Sequence, residues 1–397
     1  MMPRLWIGNF DFEHRLADPN RTPSATLRRL DAELAPTWLA VAEDGDAIWT
    51  PQPVPPEFWE AMAAAGFPRI TPVTDWRSQL ERYEPTAWGW TPELLAIAIT
   101  VSPRRELPPA NVVRSANSRR WSFARETEWQ VGLPHAAACE SVDDVARALA
   151  AWPAREAKWV VKAEFGMSGR ERLLGQGALT APAINWLRRR LSADGVVFVE
   201  PWVERVAEAG ILFDVPATGA PQLVGVAEML PSPQGQYAGS VFAGTLVGWD
   251  ESSSPTTSAV TSLVGLEDSS HPTSWSSAIE MAHRAAVELQ RLGYVGPLGI
   301  DAMWYRTADG ELRLRPLQDV NARWTMGRLA LGWRRFFPNA AFGAWCHTAG
   351  GGTSDSGPLA AVFGGEGTKQ QVIPTSPDTI GGQPARHRTA VVVHPRG

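Results

Sequence analysis

Apolar and polar positions alternate most cleanly over Gly299 to Arg323, GIDAMWYRTADGELRLRPLQDVNAR. Ile300, Met303, Trp304 and Tyr305 on one side of Ala308-Asp309-Gly310, and Leu312, Leu314 and Leu317 on the other, predict two strands joined by a turn. Asp319, Asn321 and Arg323 are spaced by two on the second strand. Side chains alternate across a strand, so this spacing projects two oxygen ligands and a guanidinium onto one face. Asp301, on the first strand, shares that face only if the loop is odd in length or a bulge intervenes. One of these is expected, and Gly310 and Pro316 give occasion for it.

The same reading divides the rest of the chain. Residues 1–112 pattern as an α/β lobe, with buried strands at Leu5–Gly8 and Trp38–Ala42 and helices from Pro56 to Ala65 and after Thr91-Pro92-Glu93. Asn9, Asp11, Glu13 and His14 follow the first strand, as loop polars and caps or as the lining of a ligand crevice. Residues 113–195 form a second unit. It has a helix after Asn117-Ser118-Arg119-Arg120, a strand through Ala138, a helix capped by Ser141, and an apolar strand delivering Lys162 to the loop Gly166-Met167-Ser168-Gly169-Arg170. Residues 196–346 begin with a strand carrying Glu200 toward Trp202 and Val203. Strands at Gly210–Val215 and Pro221–Leu230 follow, then a Ser/Thr-rich surface loop or lid over Asp250–Ser277 and a helix opened by the capping-box pair Ser277 and Glu280. The hairpin comes next, then a helix over Trp324–Trp345. Residues 347–397 read as a flexible tail in which Thr389–His394 could add a strand.

Composition narrows the classes. The 397 residues are 44% hydrophobic, enough for two or three lobes with substantial cores. A net charge of -5 gives no basic surplus, so nucleic acid is not an expected partner. No apolar run reaches membrane-spanning length and the first residues lack a signal-like apolar stretch, so a cytoplasmic protein is expected. Cys139 and Cys346 cannot make a disulfide framework. Of 37 Lys and Arg residues only Lys158, Lys162 and Lys369 are lysines. A Lys kept inside an apolar strand suits phosphate as a compact point charge.

A GID strand, a turn and a second strand ending in acid-x-Asn-x-Arg resemble the metal-binding end of ATP-grasp enzymes, whose usual form is Glu-x-Asn-x-Arg. Here Asp319 replaces that Glu, and Asp301 stands where the first acid is often Glu. The Asn117-Ser118-Arg119 element, the strand Lys with its Gly loop, the Glu200 strand and the metal strand follow the family's order, over Asn117 to Arg323. The resemblance implies an ATP-grasp fold: two α+β lobes clasping ATP, preceded by an N-terminal α/β domain. It implies Mg²⁺ or Mn²⁺ on Asp301, Asp319 and Asn321, and phosphates held by Lys162, by Gly166, Ser168 and Gly169, and by Arg119 or Arg120. It places Glu200, Trp202 and Val203 at the adenine edge and Glu208 or Glu204 at the ribose. The implied reaction joins a small-molecule carboxylate to an amine through an acyl phosphate stabilised by Arg323, in a protein that can be a homodimer. A silent nucleotide-binding relative and a kinase of the same fold are the alternatives.

Overall fold

A computed structural model describes residues 2–153, 157–166, 171–230, 237–243, 274–349 and 371–395. The N-terminal lobe holds a four-stranded parallel sheet, ordered β3-β2-β1-β4, from β1 (Arg4–Ile7), β2 (Ala47–Trp49), β3 (Thr71–Val73) and β4 (Glu84–Ala87). Its helices are α1 (Phe12–Ala17), α2 (Ala25–Leu34), α3 (Pro56–Ala64) and α4 (Pro92–Val101), the last capped by the Thr91 side chain on Leu94 N–H. The segment expected as a strand at Trp38–Ala42 is a 3₁₀ helix over Ala35–Ala40 instead. A short run buried on all sides has no period to separate strand from helix, and Pro36 favours a helical start.

Two short helices, α5 (Ala110–Ala116) and α6 (Arg119–Trp129), lead into a four-stranded antiparallel sheet ordered β5-β8-β6-β7. It is built from β5 (Ala137–Cys139), β6 (Lys158–Ala163), β7 (Arg172–Gln176) and β8 (Val197–Pro201), with α7 (Val142–Ala150) and α8 (Ala181–Asp194) packed on it. Ser141 caps α7, as its place before Asp143 and Asp144 suggests, and the Ser118 side chain caps α6.

The remaining chain forms an eight-stranded sheet ordered β13-β12-β9-β10-β11-β14-β18-β15. Its strands in chain order are β9 (Glu204–Val215), β10 (Gln222–Met229), β11 (Gly239–Ala243), β12 (Gly296–Arg306), β13 (Leu312–Asn321), β14 (Ala340–Ala349), β15 (Gln371–Pro374) and, after the small ladder β16 (Thr379–Ile380) and β17 (Gln383–Pro384), β18 (His387–Pro395). Alternation along β9 sorts its two faces. Ala209, Ile211, Phe213 and Val215 pack under α9 (Ser276–Arg291), while Leu212 joins the core shared with the N-terminal lobe. That shared core also takes Ala227, Phe242, Trp345 and Val391 from the large sheet and Trp6, Trp38 and Trp88 from the N-terminal lobe.

Three expectations are corrected here. The helix read over Trp324–Trp345 stops as α10 (Met326–Trp333) and a 3₁₀ turn, and Ala340–Ala349 is a strand. Pro338 restricts the preceding residue and ends the helical stretch, and β14 is buried on both faces because it is an inner strand, so it shows no alternation. The tail read as flexible over 347–397 supplies two strands to the large sheet, β15 and β18, the second at the place expected for a strand, with Val391 and Val392 wholly buried. The helix α9 starts at Ser276 without a side-chain cap, so the Ser277 and Glu280 pair does not form the expected box. The Ser/Thr-rich segment read as a lid lies almost entirely outside the described residues, as do Ser168 and Gly169. No helix among the described residues is long and apolar enough to cross a membrane.

Candidate active site

The β12–β13 hairpin pairs Gly299 with Asn321, Ile300 with Val320 and Asp301 with Asp319. The register then shifts, and Met303 pairs with Arg315. This irregularity, beside Pro316, is of the kind expected from sequence. It sets Asp301 directly opposite Asp319, so both carboxylates leave the sheet on one side. The side is that of the N-terminal lobe, because Asp301 also pairs with Gly210, the neighbour-but-one of Leu212 in the shared core.

Neighbouring groups hold the row in place. Asn321 Nδ2 donates to Asp301 Oδ2 at 3.1 Å, and Arg323 Nη2 donates to Asn321 Oδ1 at 2.9 Å. Arg323 Nη1 donates to the Trp324 carbonyl at 2.8 Å, Nε donates to Glu13 Oε1 at 2.5 Å, and the guanidinium lies 5.3 Å from the Trp88 ring centroid. Burial, followed by the charge of Asp319, pushes the Asp301 carboxyl up to about 7. A carboxylate in a dry setting that faces a second one is raised in this way. Among the described residues no group of three or more His, Cys, Asp or Glu side chains is placed to hold a metal ion. The donor set is therefore two carboxylates and an amide. It fits a hard cation that keeps water or takes phosphate oxygens for its other positions, as Mg²⁺ does.

The middle sheet brings its cations to this row. Arg119, the first residue of α6, donates from Nη2 to Asp319 Oδ2 at 2.8 Å and from Nη1 to the Ala163 carbonyl at 2.9 Å. Arg120 turns the other way, to Glu164 Oε2 at 3.3 Å and the Asp194 carbonyl at 3.3 Å. Of the two arginines left open by the sequence, Arg119 is the one beside the acidic row. Lys162 stands 2.8 Å from Glu200 Oε2 and within electrostatic reach of Arg119 and Asp319. Burial pulls its pKa below the usual lysine range, against the opposing pull of Glu200. At Gly166 a Cβ would come 3.2 Å from Arg119 Nη1, so a side chain there would crowd the guanidinium.

The residues assigned to the base and ribose are placed less uniformly. The Glu200 carboxylate, read as facing the adenine edge, is instead buried between Lys162 and Arg315. Burial alone would raise it, but Arg315 and Lys162 more than offset this and hold it well below the usual carboxylate range. The Trp202 backbone N–H is spent on the Lys158 carbonyl at 2.9 Å, so it is not available to a base. The Trp202 ring lies between Arg172 and Arg205, at 5.4 Å and 5.3 Å from its centroid. Val203, between β8 and β9, packs against Leu133, Met303 and Tyr305. Glu208 accepts from Arg205 Nη1 at 2.9 Å and Gln318 Nε2 at 3.2 Å, and its charge reaches Asp301. Glu204 lies 4.0 Å from Arg306 and is exposed.

Sequence reasoning missed the role of Arg315 and named Glu13 and His14 only as loop polars, caps or crevice lining, without their partners. Glu13 grips Arg323, and His14 Nε2 lies 2.6 Å from Glu171 Oε1, just past the Gly-rich segment. The signal for Arg315 was present as a charged residue inside an apolar strand. For Glu13 and His14 no local pattern gives the partners, which are 310 and 157 residues away in sequence.

This order of sheets, with a cation-bearing small sheet facing an acidic row on a large one, is the ATP-grasp fold. The chain is similar over 100% of its length to N5-carboxyaminoimidazole ribonucleotide synthetase from Thermus thermophilus, with 94% of that chain covered, 16% identity and a TM-score of 0.51. It is also similar to an ADP complex of purK, an N5-carboxyaminoimidazole ribonucleotide synthetase, at 12% identity and a TM-score of 0.50, covering 99% of this chain and 93% of that one. At such identities the likeness is one of fold. No protein-family model matches the chain, and no curated protein matches it in sequence.

Proposed function

We propose that the protein is an ATP-dependent ligase joining a carboxylate to an amine through an acyl phosphate. The observation that carries this reading is the row Asp301, Asp319, Asn321 and Arg323 facing Arg119 and Lys162 across two sheets. In the first step a substrate carboxylate oxygen attacks the γ-phosphorus of ATP and ADP leaves. In the second the amine nitrogen attacks the acyl carbon, phosphate leaves, and the nitrogen loses a proton. Mg²⁺ held by Asp301, Asp319 and the Asn321 oxygen would neutralise charge on the phosphates. Lys162 and Arg119 bind and orient phosphate oxygens, and Gly166 leaves them room. Arg323 stabilises the anionic acyl phosphate and the tetrahedral species that follows. Buried, unpaired Cys139 and Cys346 fit a reducing compartment, and we place the protein in the cytoplasm.

The test is incubation with ATP, Mg²⁺ and pooled carboxylates and amines, with products resolved by mass. Amide with equimolar ADP and phosphate is the expected outcome. A phosphorylated product would make it a kinase, and nucleotide binding without turnover a sensor. Asp319→Asn, which keeps the shape of the side chain but removes the charge, should lower turnover by at least ~100-fold, since one positioned charge is worth about 3 kcal/mol in a transition state. Near-normal ADP release by that variant would rule the assignment out.

A further inference from the structure

Arg315 is one of the most deeply buried charges in the protein, at 2% exposure, and the proposed reaction gives it no task. Its guanidinium forks in two directions. Nε and Nη2 donate to Glu126 Oε1 and Oε2 at 2.5 Å and 2.8 Å, and Nη1 and Nη2 donate to Glu200 Oε2 and Oε1 at 3.0 Å and 2.9 Å. Both carboxylates are buried as well. Such a cluster is a poor way to gain stability, because apolar residues of similar volume commonly do as well or better. What a two-sided planar fork does supply is orientation, since it fixes two carboxylates in its own plane.

The orientation is passed on to a cation that the nucleotide site uses. The Glu200 oxygen that accepts from Arg315 Nη1 is also the one 2.8 Å from Lys162 Nζ. A lysine on a four-carbon stem is thereby located by a carboxylate that cannot rotate. Glu126 belongs to α6, whose first residue, Arg119, reaches Asp319. Arg315 itself lies on β13, four positions before Asp319. One guanidinium thus joins the strand of the acidic row to both elements that bring phosphate-binding cations, and it does so across the boundary between the two sheets.

We infer that Arg315 is a positioning residue which, by forking between Glu126 and Glu200, fixes Lys162 and α6 relative to the Asp301–Asp319 row. This rests on the nucleotide-site reading above. The decisive variant is the double substitution Arg315→Met with Glu126→Gln, which removes one charge of each sign and leaves no buried carboxylate without a partner, because Glu200 keeps Lys162. Arg315→Lys is the companion, keeping the charge but losing the fork. MgATP dissociation constants are measured by calorimetry beside thermal melts. Lysine labelled with ¹³C at the ε-carbon reports directly on Lys162, because the wild-type chain has only three lysines and Lys162→Arg assigns its signal.

MgATP affinity is expected to fall at least tenfold in both variants, and in the double variant the Lys162 signal should move while those of Lys158 and Lys369 stay. Lower melting temperatures with wild-type affinity and an unmoved Lys162 signal would overturn the inference and leave Arg315 a structural charge. If the double variant does not fold, Arg315→Lys decides by its affinity alone. Wild-type protein that binds no MgATP would instead overturn the nucleotide-site reading and this inference with it, a result distinct from equal binding by wild type and variants.

Discussion

Asp31, on α2, is a buried carboxyl that accepts from Phe10 N–H at 3.1 Å. Burial, and then the charge of Asp11, pushes it up to about 8, against 3.8 for an ordinary Asp. The folded protein therefore binds one more proton than the unfolded chain between about pH 4 and pH 8, and stability falls as pH rises through that window. Asp31→Asn keeps an oxygen for Phe10 and removes the ionisation. It should raise the melting temperature over wild type at pH 8, by the equivalent of roughly 1–3 kcal/mol, and change it little at pH 4.5. A difference that does not grow between those two pH values would contradict this account. The contrast with Glu200 shows what residue type alone conceals. Both are buried acids, yet cations beside Glu200 hold it below the usual carboxylate range while burial pushes Asp31 above it. Asp319, Asn321 and Arg323 were legible because their spacing of two is a local property. The task of Glu200 was not, since it depends on Arg315 from a different sheet.

Among the elements, those with a clear period or a clear cap were legible from sequence, and some of those buried on both faces, the 3₁₀ helix at Ala35–Ala40 and β14, were not. The hairpin and its irregularity, the Ser141 cap and the Lys162 strand follow from alternation and from N-cap chemistry. β14 lacks those signals because it lies inside the large sheet, where Ala344 and Trp345 are buried, whereas the strand expected at Thr389–His394 is present as β18. The segment over 371–395 then has a definite cost of removal. Cutting the chain after residue 370 would strip β18 from β14 over pairs running from Ala340↔Pro395 to Ala349↔His387, and would uncover the Trp345 side of the core shared with the N-terminal lobe. Expression of the truncated chain should give aggregated protein, through both the exposed strand edge and the lost core. A soluble truncation melting within a few degrees of full length would show that this segment adds nothing to the sheet.

At the scale of the whole molecule, the N-terminal lobe contributes directly to the acidic row. Glu13 on α1 and Trp88 beyond β4 hold the Arg323 guanidinium, while Trp324, the residue after Arg323, donates its N–H to the Trp88 carbonyl at 3.0 Å. Every nitrogen of the Arg323 guanidinium thus has an acceptor, and the one supplied by the N-terminal lobe is the only carboxylate among them. Fixing a guanidinium in this way lowers the reorganisation needed when negative charge develops beside it, but leaves nucleotide binding to Arg119 and Lys162. Glu13→Gln keeps one acceptor oxygen and loses the charge. It should lower kcat by roughly ten- to a hundredfold, the equivalent of the ~1.5–3 kcal/mol of a charge-assisted hydrogen bond, with the MgATP dissociation constant unchanged. A fall in both together would mean that the lobe as a whole had shifted. An increased kcat would mean that Glu13 competes with the substrate anion for Arg323, and the two lobes would then be coupled through displacement of that carboxylate rather than through its support.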